Sequence, residues 1–246
     1  LGFSSERAGL SDSATEKALS QFLRPEFLNR VDEIITFNSL TPEDFSSAFA
    51  QADEYNEKLR KMSTPFLGFK NLDEMYYSTL DVNGNGMMGY ITIEKIKVQL
   101  PIYHGTSDKV LNSAVGHVEG SSLPVGGKST HAILSAHRGL PSAKLFTNLD
   151  KLEEGDIFTI RILDRTITYQ VDQILIVLPH ETDNLNIVSG EDYCTLVTCT
   201  TSTGLIAHST GRLLVRGHRI ENQEAARTVR VTADAIQIRP AIVAPF

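Results

Sequence analysis

The chain has 246 residues, 41% of them hydrophobic and 22% charged, which fits a folded chain of one or two domains and not a disordered one. Its 23 Lys and Arg against 30 Asp and Glu give a net charge of −7; a general nucleic-acid binder would instead need a basic surface to neutralise phosphates. The longest apolar runs, Ile174–Leu178 and Ala241–Phe246, fall far short of the roughly 18 residues of a membrane span.

Taken in chain order, Ser13–Leu23 carries a helical pattern with Leu19, Phe22 and Leu23 on one face, interrupted by Pro25. A short strand-like run, Ile34–Phe37, follows. Thr41-Pro42-Glu43-Asp44 is a helix start: Thr can cap, Pro suits the first helical position, and the acids oppose the positive end of the dipole. Phe45, Phe49, Ala52, Tyr55 and Leu59 then fall on one stripe, so residues 42–61 read as an amphipathic helix. From about residue 80 the apolar period changes from 3.6 to 2. Ile91 and Ile93 are odd, whereas Ile96, Val98, Leu100 and Ile102 are even, which implies a bulge or corner near Glu94-Lys95. Further strands are expected at His131–His137, Ile157–Leu163, Arg165–Val171, Ile174–Leu178, Tyr193–Thr200 and Arg212–Ile220. The third and second of these form a hairpin turning at Asp164, and Pro141–Leu152 reads as a short helix. Residues 221–246 begin helix-like at Asn222–Arg227 and then alternate through Val229, Val231, Ile236 and Ile238. Many short strands and few helices predict a mainly β fold, a closed barrel with short helices and an N-terminal helical extension.

The two cysteines, Cys194 and Cys199, differ in parity on one strand, so they point to opposite faces and cannot pair. Cys199 ends its strand before the small polar run Thr200-Thr201-Ser202-Thr203-Gly204, where a nucleophilic thiol is rigidly held yet exposed. Cys194 lies mid-strand and reads as a small buried hydrophobe. A catalytic thiol needs an acid or base. Of seven histidines, His137 stands where a strand opens into the loop Arg138-Gly139, while His131 sits at the other end of that strand. Arg212, opening the strand Arg212–Arg216, is an always-charged donor able to hold an oxyanion. Asp81-Val82-Asn83-Gly84-Asn85-Gly86 imitates the start of a calcium loop, but the twelfth position, which needs a bidentate Glu, is Thr92. It reads as an Asn-Gly turn, and no metal or cofactor is expected.

Leu100-Pro101-Ile102-Tyr103-His104-Gly105, Ser121-Ser122-Leu123-Pro124-Val125-Gly126-Gly127, His137-Arg138-Gly139-Leu140-Pro141, Leu145-Phe146-Thr147, Leu196-Val197-Thr198-Cys199-Thr200 and Arg212-Leu213-Leu214-Val215-Arg216-Gly217 follow one another in the order of class C sortases. These are the pilin-polymerising transpeptidases of Gram-positive bacteria. The resemblance covers about residues 46–246 and implies the sortase β-barrel with His137, Cys199 and Arg212 as the catalytic set. It also implies cleavage of a sorting signal like Leu-Pro-x-Thr-Gly between Thr and Gly, with transfer of the acyl group to the amine of a pilin lysine. Two departures stand out. The stretch from Cys199 to Arg212 looks longer than is usual in the family, in a loop expected to border the substrate groove. Family members commonly carry a lid with an Asp-Pro-aromatic triplet ahead of the barrel; here the nearest match is Thr64-Pro65-Phe66, without the acid. The alternative for Ser63–Lys70 is a plain linker.

Residues 1–45 resemble a different family. Leu23-Arg24-Pro25-Glu26-Phe27-Leu28-Asn29-Arg30-Val31-Asp32-Glu33-Ile34 is similar to a segment near the end of a Clp-type ATPase domain, in which Arg30 would match an arginine finger. The sequence contains no Gly-x-x-x-x-Gly-Lys-Ser/Thr to cradle a nucleotide, so this part is expected to be a fragment without ATPase activity. The expected organisation is therefore 1–45 Clp-like fragment, 46–79 helix and lid, 80–220 catalytic barrel, and 221–246 an extension towards a membrane anchor outside this chain. The expected partners are sorting-signal peptides of pilins or surface proteins and a pilin lysine, at the extracellular face of the membrane or in the cell wall, without nucleic acid. Rival readings are a cysteine peptidase passing the acyl group to water, housekeeping-type anchoring of surface proteins, and a barrel used only for binding.

Overall fold

In the computed structural model, residues 42–62, 72–139, 144–200 and 211–221 are described. The chain divides into two compact units, Leu1–Phe45 and Ser46–Phe246. Residues 1–41 of the Clp-like part, the lid triplet Thr64, Pro65 and Phe66, the loop 201–210 and the extension 222–246 lie outside the described residues.

Helix α1 (Pro42–Arg60) starts at the expected Pro, with Glu43 and Asp44 in its first turn and Lys58 and Arg60 in its last. Its stripe of Phe49, Ala52, Tyr55 and Leu59 is buried. The Arg165 guanidinium lies 3.6 Å from the Phe49 ring centroid. Deeper along the helix, the Asn56 amide accepts from the Leu123 N–H at 2.7 Å and donates to the Leu123 carbonyl at 3.3 Å, replacing a missing strand neighbour. A second short helix, α2 (Asp73–Ser78), places Tyr76 against the barrel.

Eight strands follow: β1 (Met87–Ile93), β2 (Val98–His104), β3 (Val115–His117), β4 (Thr130–Ser135), β5 (Ile157–Ile162), β6 (Arg165–Val177), β7 (Asp192–Thr200) and β8 (Gly211–Ile220). They close in the order β1-β2-β3-β4-β7-β8-β6-β5, as the sequence predicts for a closed barrel. All pairs are antiparallel except β2 with β3 and β4 with β7. A one-turn helix, α3 (Asp108–Leu111), makes the first parallel crossover. The β5–β6 hairpin occupies the second.

The parity change near Glu94 is a corner: a 3-10 turn at Glu94–Ile96 and a left-handed Lys97 (φ 54) bring Val98 opposite Ile93. At the start of β1 the calcium-like segment closes on itself, the Asp81 carboxylate accepting from the Gly86 N–H at 2.7 Å. Two expectations need correction. Arg165–Val171 and Ile174–Leu178 are one strand, not two. Its register with β8 shifts between Val171 and Gln173, so Asp172 is an extra residue that moves the apolar positions from odd to even. Pro141–Leu152 is not a helix over its described part, which holds only a 3-10 turn at Leu149–Lys151. Burial of Phe146 and Leu149, and the bond from the Phe146 N–H to the His137 carbonyl at 3.2 Å, fix this stretch as turns instead.

Inside the barrel Phe158 stacks on Tyr169 at 5.4 Å between centroids, over Gly217. A Cβ at Gly217 would lie 2.7 Å from the Phe158 ring, so only glycine fits there. Asp192 closes this end, accepting from the Gly127 N–H at 2.6 Å, the Tyr169 hydroxyl at 3.1 Å and the Arg219 guanidinium at 3.2 Å. Among the described residues no helix is long and apolar enough to cross a membrane.

A fully buried His117 joins α2 to the barrel. Its Nε2–H donates to the Ser122 carbonyl at 2.8 Å, and its Nδ1 lies 2.9 Å from the Tyr76 hydroxyl, which can donate to it. Burial pushes the imidazole down from 6.5 to about 4, so the folded protein holds it neutral. The unfolded chain takes up that proton first as pH falls. The stabilisation is therefore complete above pH 6.5 and is lost progressively between 6.5 and 4, by roughly 3 kcal/mol at most. Urea unfolding of the wild type should show this loss between pH 7 and pH 4.5, and His117→Gln should show a shallower one. Equal losses in the two proteins would contradict the assignment.

Candidate active site

The site is built by strand β7, whose faces alternate. Cys194, Leu196, Thr198 and Thr200 are buried in the barrel, while Tyr193, Val197 and Cys199 are partly exposed on the outer face. Cys199 is thus presented outward near the strand end, as expected. Cys194 faces inward opposite Gly217, and burial raises its thiol well above the ordinary 9.0. Both cysteines are free.

The antiparallel register with β8 sets Arg212 directly opposite Cys199, two residues from the pair Val197 and Leu214 on the same face. Residues directly opposite on one face have Cβ atoms within about 5.5 Å, close enough for the Arg212 side chain to act at the sulfur. Arg212 is half-buried, and its Nη1 lies 3.4 Å from the Gly211 carbonyl.

His137 approaches from the other side. Strand β4 ends at Ser135, two residues short of the expected end, so His137 stands in the loop rather than on the strand. The β4–β7 register nevertheless continues past the strand: the Ala136 N–H donates to the Val197 carbonyl at 3.2 Å, and the Thr198 hydroxyl donates to the Ala136 carbonyl at 2.9 Å. With Ser135 opposite Val197, two further residues bring His137 level with Cys199. The loop is held there by the Phe146 N–H on the His137 carbonyl (3.2 Å), the Gly139 N–H on the Thr147 hydroxyl (3.0 Å) and an Arg138–Asp150 ion pair (2.8 Å). Gly139 has φ +73, a left-handed turn that favours glycine.

By register, Cys199 and Arg212 share one level of one face on β7 and β8, and His137 follows two residues after the end of the neighbouring β4. The lid residues Thr64, Pro65 and Phe66 lie outside the described residues. Among the described residues no three His, Cys, Asp or Glu side chains gather as a metal site requires.

The family model described as a sortase domain matches residues 91–220. The chain belongs to the sortase family. Among solved structures, sortase C1 from Streptococcus agalactiae is 49% identical, over 74% of this chain and 93% of that one, with a TM-score of 0.67. A pilus-related sortase C of Group B Streptococcus is 40% identical, over 75% of this chain and 93% of that one, with a TM-score of 0.62. A curated relative, sortase A of Streptococcus agalactiae serotype III, is 28% identical over 117 residues, 46% of this chain and 47% of the relative. This sortase chain thus spans about half the length of that relative.

Sequence reading alone did not find the polar network on the same face. Arg216 makes a bidentate pair with Asp172 at 3.0 and 2.9 Å and lies 4.2 Å from the Tyr193 ring centroid. Its available signal was the parity change at Asp172, which reads equally well as a gap between two strands.

The two cysteines should differ sharply in reactivity. A thiol reagent applied to the folded sortase should modify Cys199 and leave Cys194 unmodified until the protein unfolds, as peptide mapping can resolve. Equal labelling of both in the folded state would contradict the strand parity described here.

Proposed function

We propose that this sortase is a cysteine transpeptidase of the pilin-polymerising kind, with Cys199, His137 and Arg212 as its catalytic residues. The Cys199 sulfur attacks the threonyl carbonyl of a Leu-Pro-x-Thr-Gly-like signal, and Arg212 holds the oxyanion of the tetrahedral intermediate. His137 gives a proton to the departing glycine amine, which leaves a thioester on Cys199. The neutral amine of a pilin lysine then attacks the thioester; the Cys199 sulfur leaves as thiolate and His137 takes the one proton the nitrogen loses, which restores the thiolate and the protonated imidazole with which the cycle began. The chemistry as written uses no cofactor. It belongs at the outer face of a Gram-positive cell, where pilins and surface proteins emerge from the membrane.

The observation that carries this reading is the cross-strand pairing of Cys199 with Arg212, with His137 led to the same level by the β4–β7 register. The similarity to a pilus-related sortase C supports the pilin substrate.

Incubation with a sorting-signal peptide and a lysine-bearing acceptor peptide tests it. Ligated product should exceed hydrolysed peptide. Arg212→Ala should lower kcat by about a hundredfold or more, the scale of losing one oxyanion donor. Hydrolysis as the only outcome, with acceptor in excess, would instead make the protein a peptidase.

A further inference from the structure

His131 shares the outer face with Cys199, yet it is 1% exposed. The Tyr193 ring packs edge-on to it at 5.7 Å between centroids, and the connection between β6 and β7, residues 178–191, reaches it from the loop side. His131 Nδ1–H donates to the Asn186 carbonyl of that loop at 2.9 Å, and Nε2 accepts from the Thr195 hydroxyl of β7 at 2.7 Å. Burial pushes the imidazole below its ordinary value, which keeps it neutral at pH 7 and leaves Nε2 free to accept. The rest of the loop is held by short-range bonds. The Leu178 N–H donates to Glu181 Oε2 at 2.7 Å, the Glu181 N–H donates to the Leu178 carbonyl at 3.0 Å, and a 3-10 turn spans Asp183–Leu185. Near its end, the Gly190 N–H donates to the Ser129 hydroxyl at 2.8 Å. Among the described residues, the bond from His131 is the hydrogen bond that ties positions 179–189 to the barrel.

Geometry gives the loop a place relative to the reactive layer. Thr195 precedes Cys199 by four residues on β7, about 13 Å at roughly 3.3 Å per residue. Between them the floor is the cross-strand pair Val197 and Leu214, flanked by Ser135. A peptide joined to Cys199 and lying extended along this floor meets the loop after about four residues.

On the transpeptidase reading above, we propose that His131 is a positioning residue, which clamps the 178–191 loop as the end wall of the peptide groove. It touches neither the reacting atoms nor the layer of Cys199, Arg212 and His137. Its loss should therefore weaken peptide binding and leave the chemical step intact.

The test uses the full chain and a sorting-signal peptide. Four readouts are taken: KM, kcat, the rate of Cys199 alkylation, and amide hydrogen exchange across residues 182–188 without peptide. His131→Leu should raise KM about tenfold, keep kcat and alkylation within a factor of two, and speed exchange in the loop. In His131→Asn the amide can still donate from near the Nδ1 position, so most of the KM should return. In His131→Gln the amide extends towards Thr195 instead, and KM should stay high. An unchanged KM in His131→Leu would overturn the clamp, as would a fall in kcat at constant KM. Should His131→Leu fail to fold, the Asn and Gln variants still decide: Gln matching or surpassing Asn overturns the proposal. A wild type that turns over no sorting-signal peptide would count against the transpeptidase reading, and the exchange measurement would then judge the clamp alone.

Discussion

The arrangement depends on the register of β7 against its two neighbours, antiparallel to β8 and parallel to β4. Side chains alternate along a strand with a period of two, so a slip of one residue would exchange the two faces completely. Cys199 would then point into the barrel, and the apolar Leu196 would face water. The apolar interior resists any such slip. Leu196 and Val215 are fully buried as cross-strand neighbours, and burying a side chain of that size contributes about 1.5–3 kcal/mol. The forces that fix the core therefore also fix the direction of the reactive sulfur.

The same register places the proposed catalytic residues at one end of the strand and a structural carboxylate at the other. At the beginning of β7, Asp192 gathers donors from three elements and closes the barrel over the Phe158–Tyr169 stack. At the far end the strand pairs run out, and Ala136 and Thr198 make the last bonds before His137 leaves the sheet. A residue just beyond a strand end has a rigid base and an accessible side chain, which catalytic groups require.

Much of this was legible in the sequence because parity is a local signal. The opposite facing of Cys194 and Cys199, the hairpin at Asp164 and the stripe of α1 each follow from periodicity within a few residues. Features set by distant partners were not legible. The bulge at Asp172 is one inserted residue, and its meaning appears only when β8 supplies the opposing register. The partners of His131, a backbone carbonyl 55 residues away and a hydroxyl 64 residues away, leave no pattern in the chain. His117, likewise, reads as one histidine among seven until Tyr76 and Ser122 are folded around it. The convergence of Cys199 with Arg212 lies between these cases: each residue opens or ends a recognisable strand, but their opposition is a property of the sheet.

The most direct measurement is the intact mass, followed by peptide mapping, of the protein mixed briefly with a Leu-Pro-x-Thr-Gly peptide. The account predicts a mass increase equal to the peptide portion ending at threonine, held as a thioester on Cys199. An adduct on Cys194, or none on either cysteine although the peptide is cleaved, would contradict it.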